Sequence, residues 1–305
     1  MITPSPEQPN FNQLPADGLV NDDHLSCNED YWSINVERPE AQAWNNYLVE
    51  VDELDKESGQ AHGLHMLLSK ENETHPKICS CCCVDLSDPD HLITSARQEA
   101  LQLILALNSY HAFSAFTAVL SVNYLDRFLL GLHMWRDMKP WMLHLAALAC
   151  LSLAAKVAET HVPLLLDLQV VEKSSFVFSP KSIQKMELLV LSLLEWKMNP
   201  VIPLSFLSYI IKNTSPPADH RRAMEFTALF EHFSISLLSD LRFVHYQPST
   251  VAAAVALHVM KEMDFDFCKN KLCTLLHQFN KEKFEACYQL ILQASVSNQV
   301  GIDEH

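Results

Sequence analysis

The chain has 305 residues, 49% of them hydrophobic, enough for one large or two modest domains around a sizeable core. Its formal net charge of −15 would be repelled by a phosphate backbone, so direct nucleic-acid binding is disfavoured, and clusters such as His220-Arg221-Arg222 are too small to reverse that. Only 5 glycines are present and the apolar segments follow helical spacing, which argues against sheets and for an all-α fold.

Residues 1–60 lack helical periodicity and are rich in Pro, Asn, Asp and Glu, so a disordered N-terminal segment is expected there. Its first fifteen residues are polar, without the apolar core of a secretory signal. Thr3-Pro4 and Ser5-Pro6 are minimal sites for proline-directed phosphorylation. Further on, Leu25, Cys27 and Glu29 stand two apart between acidic residues. In an extended chain they share one face, a greasy, a small and an acidic group in a row, which suits being bound by another protein.

Residues 61–94 come next, a short helix near Leu64 followed by a cysteine-bearing loop. The chain has 9 cysteines, an odd number that fits reduced thiols in the cytosol or nucleus. Cys79, Cys81, Cys82 and Cys83 crowd too closely to surround one ion, so no metal is expected.

From Ser95 onward amphipathic segments follow in close order, at 96–107, 112–130, 138–156, 162–169 and 179–196. Pro140 and Pro180 suit first helical turns, and alanines at 146, 147, 149, 154 and 155 mark a central helix that neighbours approach closely. The run from Trp141 to Ala155 is too short for a bilayer span, so no membrane association is expected. The pattern then starts again, at 203–212, 219–240, 246–261, 267–278 and 280–294, with a second proline-led, alanine-rich helix. The parse is two tandem five-helix units, 95–200 and 201–296, with a short tail at 297–305.

No GxxxxGK[ST], HExxH or nucleophile elbow occurs and the histidines are scattered, so neither an enzyme nor a cofactor is expected.

The runs YLDRFL (124–129), KPWMLHLAALACLSLAAKVAETHVPLLLDLQV (139–170), IQKMELLVLSLLEWKMNPVIPLSFLSYII (183–211) and LLSDLRFVHYQPSTVAAA (237–254) resemble plant D-type cyclins, and are similar to the third subgroup. The resemblance covers roughly residues 95–295. It implies two tandem five-helix cyclin boxes and a regulatory activity, in which the chain binds and activates a cyclin-dependent protein kinase. A cyclin would do so by binding the arrangement in which the kinase's glutamate-bearing helix pairs the ATP-site lysine.

Carried over by residue, Arg97 and Asp126 match the structural pair that ties the first two helices together. Lys156 and Glu187 match kinase-facing positions, with Leu145 added from the same helix as Lys156. By spacing alone, Lys156 reads equally as a C-terminal charge serving the helix dipole. Leu25-x-Cys27-x-Glu29 matches LxCxE, by which D-type cyclins bind retinoblastoma-type pocket proteins.

Two positions depart from the family. Leu103 stands where a tryptophan normally floors the groove that captures substrate and kinase-inhibitor segments, and Ala158 replaces an acid. The expected function is a G1/S regulator that recruits a pocket protein to a kinase, in nucleus and cytoplasm. The alternatives are a cyclin-box scaffold that binds the pocket protein without stimulating a kinase, and a transcription factor of the cyclin-box type, which the acidic charge opposes.

Overall fold

The computed structural model describes residues 61–75, 92–131, 139–169, 176–214, 220–263 and 281–300. These residues form helices, 3-10 turns and connections, with no strand among them.

The first element, α1 (Ala61–Thr74), precedes the boxes. Box one follows as α2 (Leu92–Tyr110), α3 (Ala115–Gly131), α4 (Pro140–Ala158), the single turn α5 (Leu165–Leu168) and α6 (Pro180–Leu193). Box two opens with a 3-10 turn (Pro203–Phe206) that runs into α7 (Leu207–Thr214), then α8 (His220–Ser236). Two 3-10 turns (Leu237–Ser239 and Leu241–His245) lead into α9 (Pro248–Glu262), and α10 (Lys281–Val300) ends the described chain. The helix expected at 267–278 lies outside the described residues, and α10 continues beyond the boundary expected at 296.

α4 is the axis of box one, with α2, α3 and α6 packed around it. Pro140 occupies its first turn, where a missing N–H costs nothing, and Lys139 supplies the extended entry. Ala146, Ala147, Ala149, Ala154 and Ala155 are fully buried, because small side chains let neighbouring backbones close in. By length and composition this 19-residue helix could cross a membrane, contrary to the expectation that its apolar core was too short. Its apolar surface is instead taken up by its neighbours, leaving 13 of its residues buried.

α9 repeats the design in box two. Pro248 opens it, Ala252, Ala253, Ala254 and Ala256 are buried, and α8 and α10 pack against it.

Among the described residues, three non-glycine residues take left-handed backbone, Ala112 (φ 52°), Glu195 (φ 54°) and Trp196 (φ 59°). Each belongs to the close of a helix. The Phe113 N–H returns to the Asn108 carbonyl after α2, and the Trp196 N–H to the Leu191 carbonyl after α6. From α3, Arg127 donates to the carbonyls of Leu194 (3.2 Å) and Lys197 (2.9 Å), and the Tyr124 hydroxyl donates to the Met198 carbonyl. These bonds hold the strained turn and aim the chain into box two.

The helix expected over 219–240 is broken at Ser236. Asp240 takes an extended conformation and accepts the Arg242 N–H at 2.9 Å, which caps the next 3-10 turn in place of continued helix.

Candidate functional site

Glu71 sits on the same face of α1 as Leu64 and Leu67, so it is carried inward with them and is only 3% exposed. Its two oxygens accept the Ser249 N–H and the Ser249 hydroxyl, both at 2.9 Å, which satisfies an orphan donor in the first turn of α9. Beside it, Gln247 donates to Asn72 at 2.8 Å. Burial raises the Glu71 carboxyl above its ordinary value, more than the bonds from Ser249 lower it. The leucine spacing could have exposed this residue from sequence, since an acid in register with a buried face needs a partner.

In box one, Arg97 grips Asp126 with both arms of a fork, Nε to Oδ1 at 2.6 Å and Nη2 to Oδ2 at 3.0 Å. The expected pair is therefore present and buried. The sequence did not disclose its third bond, from Arg97 Nη1 to the Leu238 carbonyl at 2.7 Å, which joins the first helix of box one to box two.

Lys156 lies in the last turn of α4, where it also suits the helix dipole. Its Nζ meets Glu187 Oε1 at 2.5 Å, and Ser152 donates to the same oxygen at 2.6 Å. The lysine side chain is 35% exposed but the glutamate only 9%. The two are thus brought together, but unequally. Glu187 is a buried anchor that orients the lysine, and Lys156 is the group presented outward. Leu145, expected at the same surface, is instead 3% exposed and sits among the core residues of α4, because it faces inward. It is a packing residue.

The surroundings of Lys156 form one end of box one. Glu159, just past α4, accepts through Oε1 from the Ser114 N–H (2.8 Å), the Ser114 hydroxyl (2.7 Å) and the Thr117 hydroxyl (2.5 Å) at the start of α3. Burial alone would raise its carboxyl, but the bonds from Thr117 and Ser114 together hold it below the ordinary value. The His111 ring meets the Leu168 carbonyl at 3.1 Å, which joins the α2–α3 turn to α5. On these connected elements Tyr110 (64%), Leu164 (65%), Leu166 (46%) and Leu188 (58%) expose large apolar side chains. A cation oriented from below and apolar groups left in water are the makings of a protein-binding surface. Ala158, at the same end, is half-buried and adds no charge.

The model of the cyclin N-terminal domain matches residues 64–199 and that of the cyclin C-terminal domain residues 201–302. The chain belongs to the cyclin family. Within it, this cyclin is similar to plant D-type members of the third subgroup. It is 42% identical over 236 residues to Cyclin-D3-2 of Arabidopsis thaliana, covering 76% of this chain and 61% of the relative. It is 43% identical over 240 residues to Cyclin-D3-1 of the same plant, covering 77% and 60%. The match therefore spans about three fifths of each relative's length. A viral cyclin from herpesvirus saimiri shares the fold at a TM-score of 0.54 and 17% identity, covering 66% of this chain and 86% of the viral one.

Leu103 of this cyclin is half-buried on α2. Leu25, Cys27 and Glu29 lie outside the described residues, as do Cys79, Cys81, Cys82 and Cys83.

Proposed function

We propose that this cyclin is the regulatory subunit of a cyclin-dependent protein kinase and performs no chemistry itself. The observation that carries the reading is Lys156, half-exposed, oriented by Glu187 and Ser152 and accompanied by exposed Leu164, Leu166 and Leu188. A docked helix and loop would bury the leucines and offer carbonyls to the ammonium. Binding only the active arrangement of the kinase shifts its equilibrium by the difference in affinity between the two states.

The second half of the reading rests on Leu25-x-Cys27-x-Glu29. An extended segment of this kind would place Leu25 in an apolar pocket, Cys27 in a small one and Glu29 against backbone amides of a retinoblastoma-type pocket protein. Tethering raises the substrate's effective concentration at the kinase without a new catalytic group. The outcome would be G1/S entry, with the complex acting in nucleus and cytoplasm.

The test mixes the purified protein with cyclin-dependent kinases and follows phosphorylation of a pocket-protein fragment. Lys156→Glu should abolish stimulation. Cys27→Gly should leave stimulation toward a generic peptide intact while removing the preference for the pocket protein. Pocket-protein binding with no stimulation of any kinase would instead make the chain a scaffold, with Ala158 as the first position to restore to an acid.

A further inference from the structure

α6 carries an outward row at helical spacing, Lys181, Gln184, Lys185 and Leu188, all of them exposed. Leu188 belongs to the apolar surface around Lys156, and its chain neighbour Glu187 holds that lysine. The row therefore runs from the apolar surface toward the start of α6, where Lys181 lies about 10 Å along the helix axis from Leu188.

Nothing inside the fold accounts for the two cations of this row. Lys181 stands in the first turn of α6, which holds no acid, so its charge opposes the helix dipole instead of serving it. Lys185 follows four residues later, which sets two like charges side by side across one turn. Neither forms an ion pair among the described residues, and no acid stands three or four residues from either. Glu187 is buried and taken by Lys156 and Ser152, and Asp167, exposed on α5 beside Leu166, pairs with neither lysine. In a chain of net charge −15, such a pair breaks a local rule without compensation inside the fold, which marks a surface kept for a partner.

Given the kinase-docking reading of the surface around Lys156, on which this rests, we propose that Lys181 and Lys185 receive an acidic stretch of the docked kinase. The docked segment is apolar where it meets Leu164, Leu166 and Leu188 and carries carboxylates beside that contact. An interface of standard size, about 800 Å² per partner, reaches about 16 Å from its centre, so one centred near Leu188 takes in both lysines at its rim. Charges at a rim act on encounter more than on the lifetime of the complex, so the row steers association while Lys156 and the leucines hold what has docked.

The experiment mixes the full chain with the cyclin-dependent kinases of the stimulation assay by stopped flow and reads association and dissociation rates at about 20 and about 500 mM salt. Lys181→Glu combined with Lys185→Glu should slow association about tenfold at the lower salt and less than about twofold at the higher, with dissociation changed less than about twofold. Lys185→Glu alone should slow it about threefold, whereas Lys139→Glu, an equal change of net charge at the opposite end of α4, should leave it within about twofold. Lys181→Gln combined with Lys185→Gln should keep or raise the thermal midpoint, since the like-charge pair and the opposed dipole are both relieved. Stimulation at saturating concentration should stay native in every variant of the row, although Lys156→Glu abolishes it. Unchanged or faster association with the charge-reversed pair, or equal slowing by Lys139→Glu, would overturn the proposal and leave the reading of Lys156 standing. A lowered midpoint for the glutamine pair would make the lysines structural and overturn it too. A native chain that binds no cyclin-dependent kinase would remove the reading and the proposal together.

Discussion

Arg97 divides one guanidinium between a carboxylate of its own box and a carbonyl of the next, and it is almost completely buried while doing so. Removing one partner of such a pair leaves the other charged and dry, which is worse than never having buried either. Arg97→Ala should cost about 3–5 kcal/mol, read as a lowered denaturant midpoint. Arg97→Met combined with Asp126→Leu should cost clearly less, since no charge is then left behind. If the double change costs as much as the single one, the bond to Leu238 rather than the ion pair is what matters. The pair itself was legible in YLDRF through family likeness, whereas the Leu238 carbonyl was not, because a backbone oxygen has no signature in sequence. The same limit applies to Lys156 and Glu187. That the two meet is shown, but their division into an outward cation and a buried anchor depended on Ser152, whose hydroxyl sits in a largely apolar helix.

Among the elements, the proline-led, alanine-rich helices α4 and α9 were the most legible, since their composition follows from their central place. The breaks were less so. Ala112, Glu195 and Trp196 adopt left-handed backbone without glycine, so the turns they close carry no local signal and are held by tertiary bonds such as those of Arg127. Leu145, added only because it shares a helix with Lys156, is buried instead, since residues eleven apart on one helix need not share its outward face. α1 is the element whose role the sequence concealed most, because its function resides in one inward carboxylate. Glu71→Ala leaves the Ser249 N–H buried and unpaired and should cost about 1–3 kcal/mol, measured by chemical denaturation. Burial raises the Glu71 carboxyl in the folded chain above the ordinary 4.5, so its contribution is fully present below that value and is lost as pH rises through the folded one. Relative to Glu71→Gln, the native chain should therefore lose stability as pH climbs from about 4.5; a flat difference would show that the bonds from Ser249 offset burial, and a gain in stability that they outweigh it.

At the scale of the molecule, two buried polar links reach box two from the helices before it, beside the packing of α3 against α8. Arg97 reaches Leu238, and Glu71 caps α9 from a helix that precedes box one. Each bond crosses from one hydrophobic unit to a backbone group of another, so opening either box strands a buried donor or acceptor in its neighbour. Chains beyond about 150 residues need not unfold in one step, so these links and the packing of α3 on α8 are what would make unfolding cooperative. A single calorimetric transition with matching van't Hoff and calorimetric enthalpies is expected for the native chain. The combined change Arg97→Ala with Glu71→Ala should split it in two, because the cores survive while the crossings do not. A native chain that already melts in two steps would mean that the boxes are held in register mainly by their covalent connection.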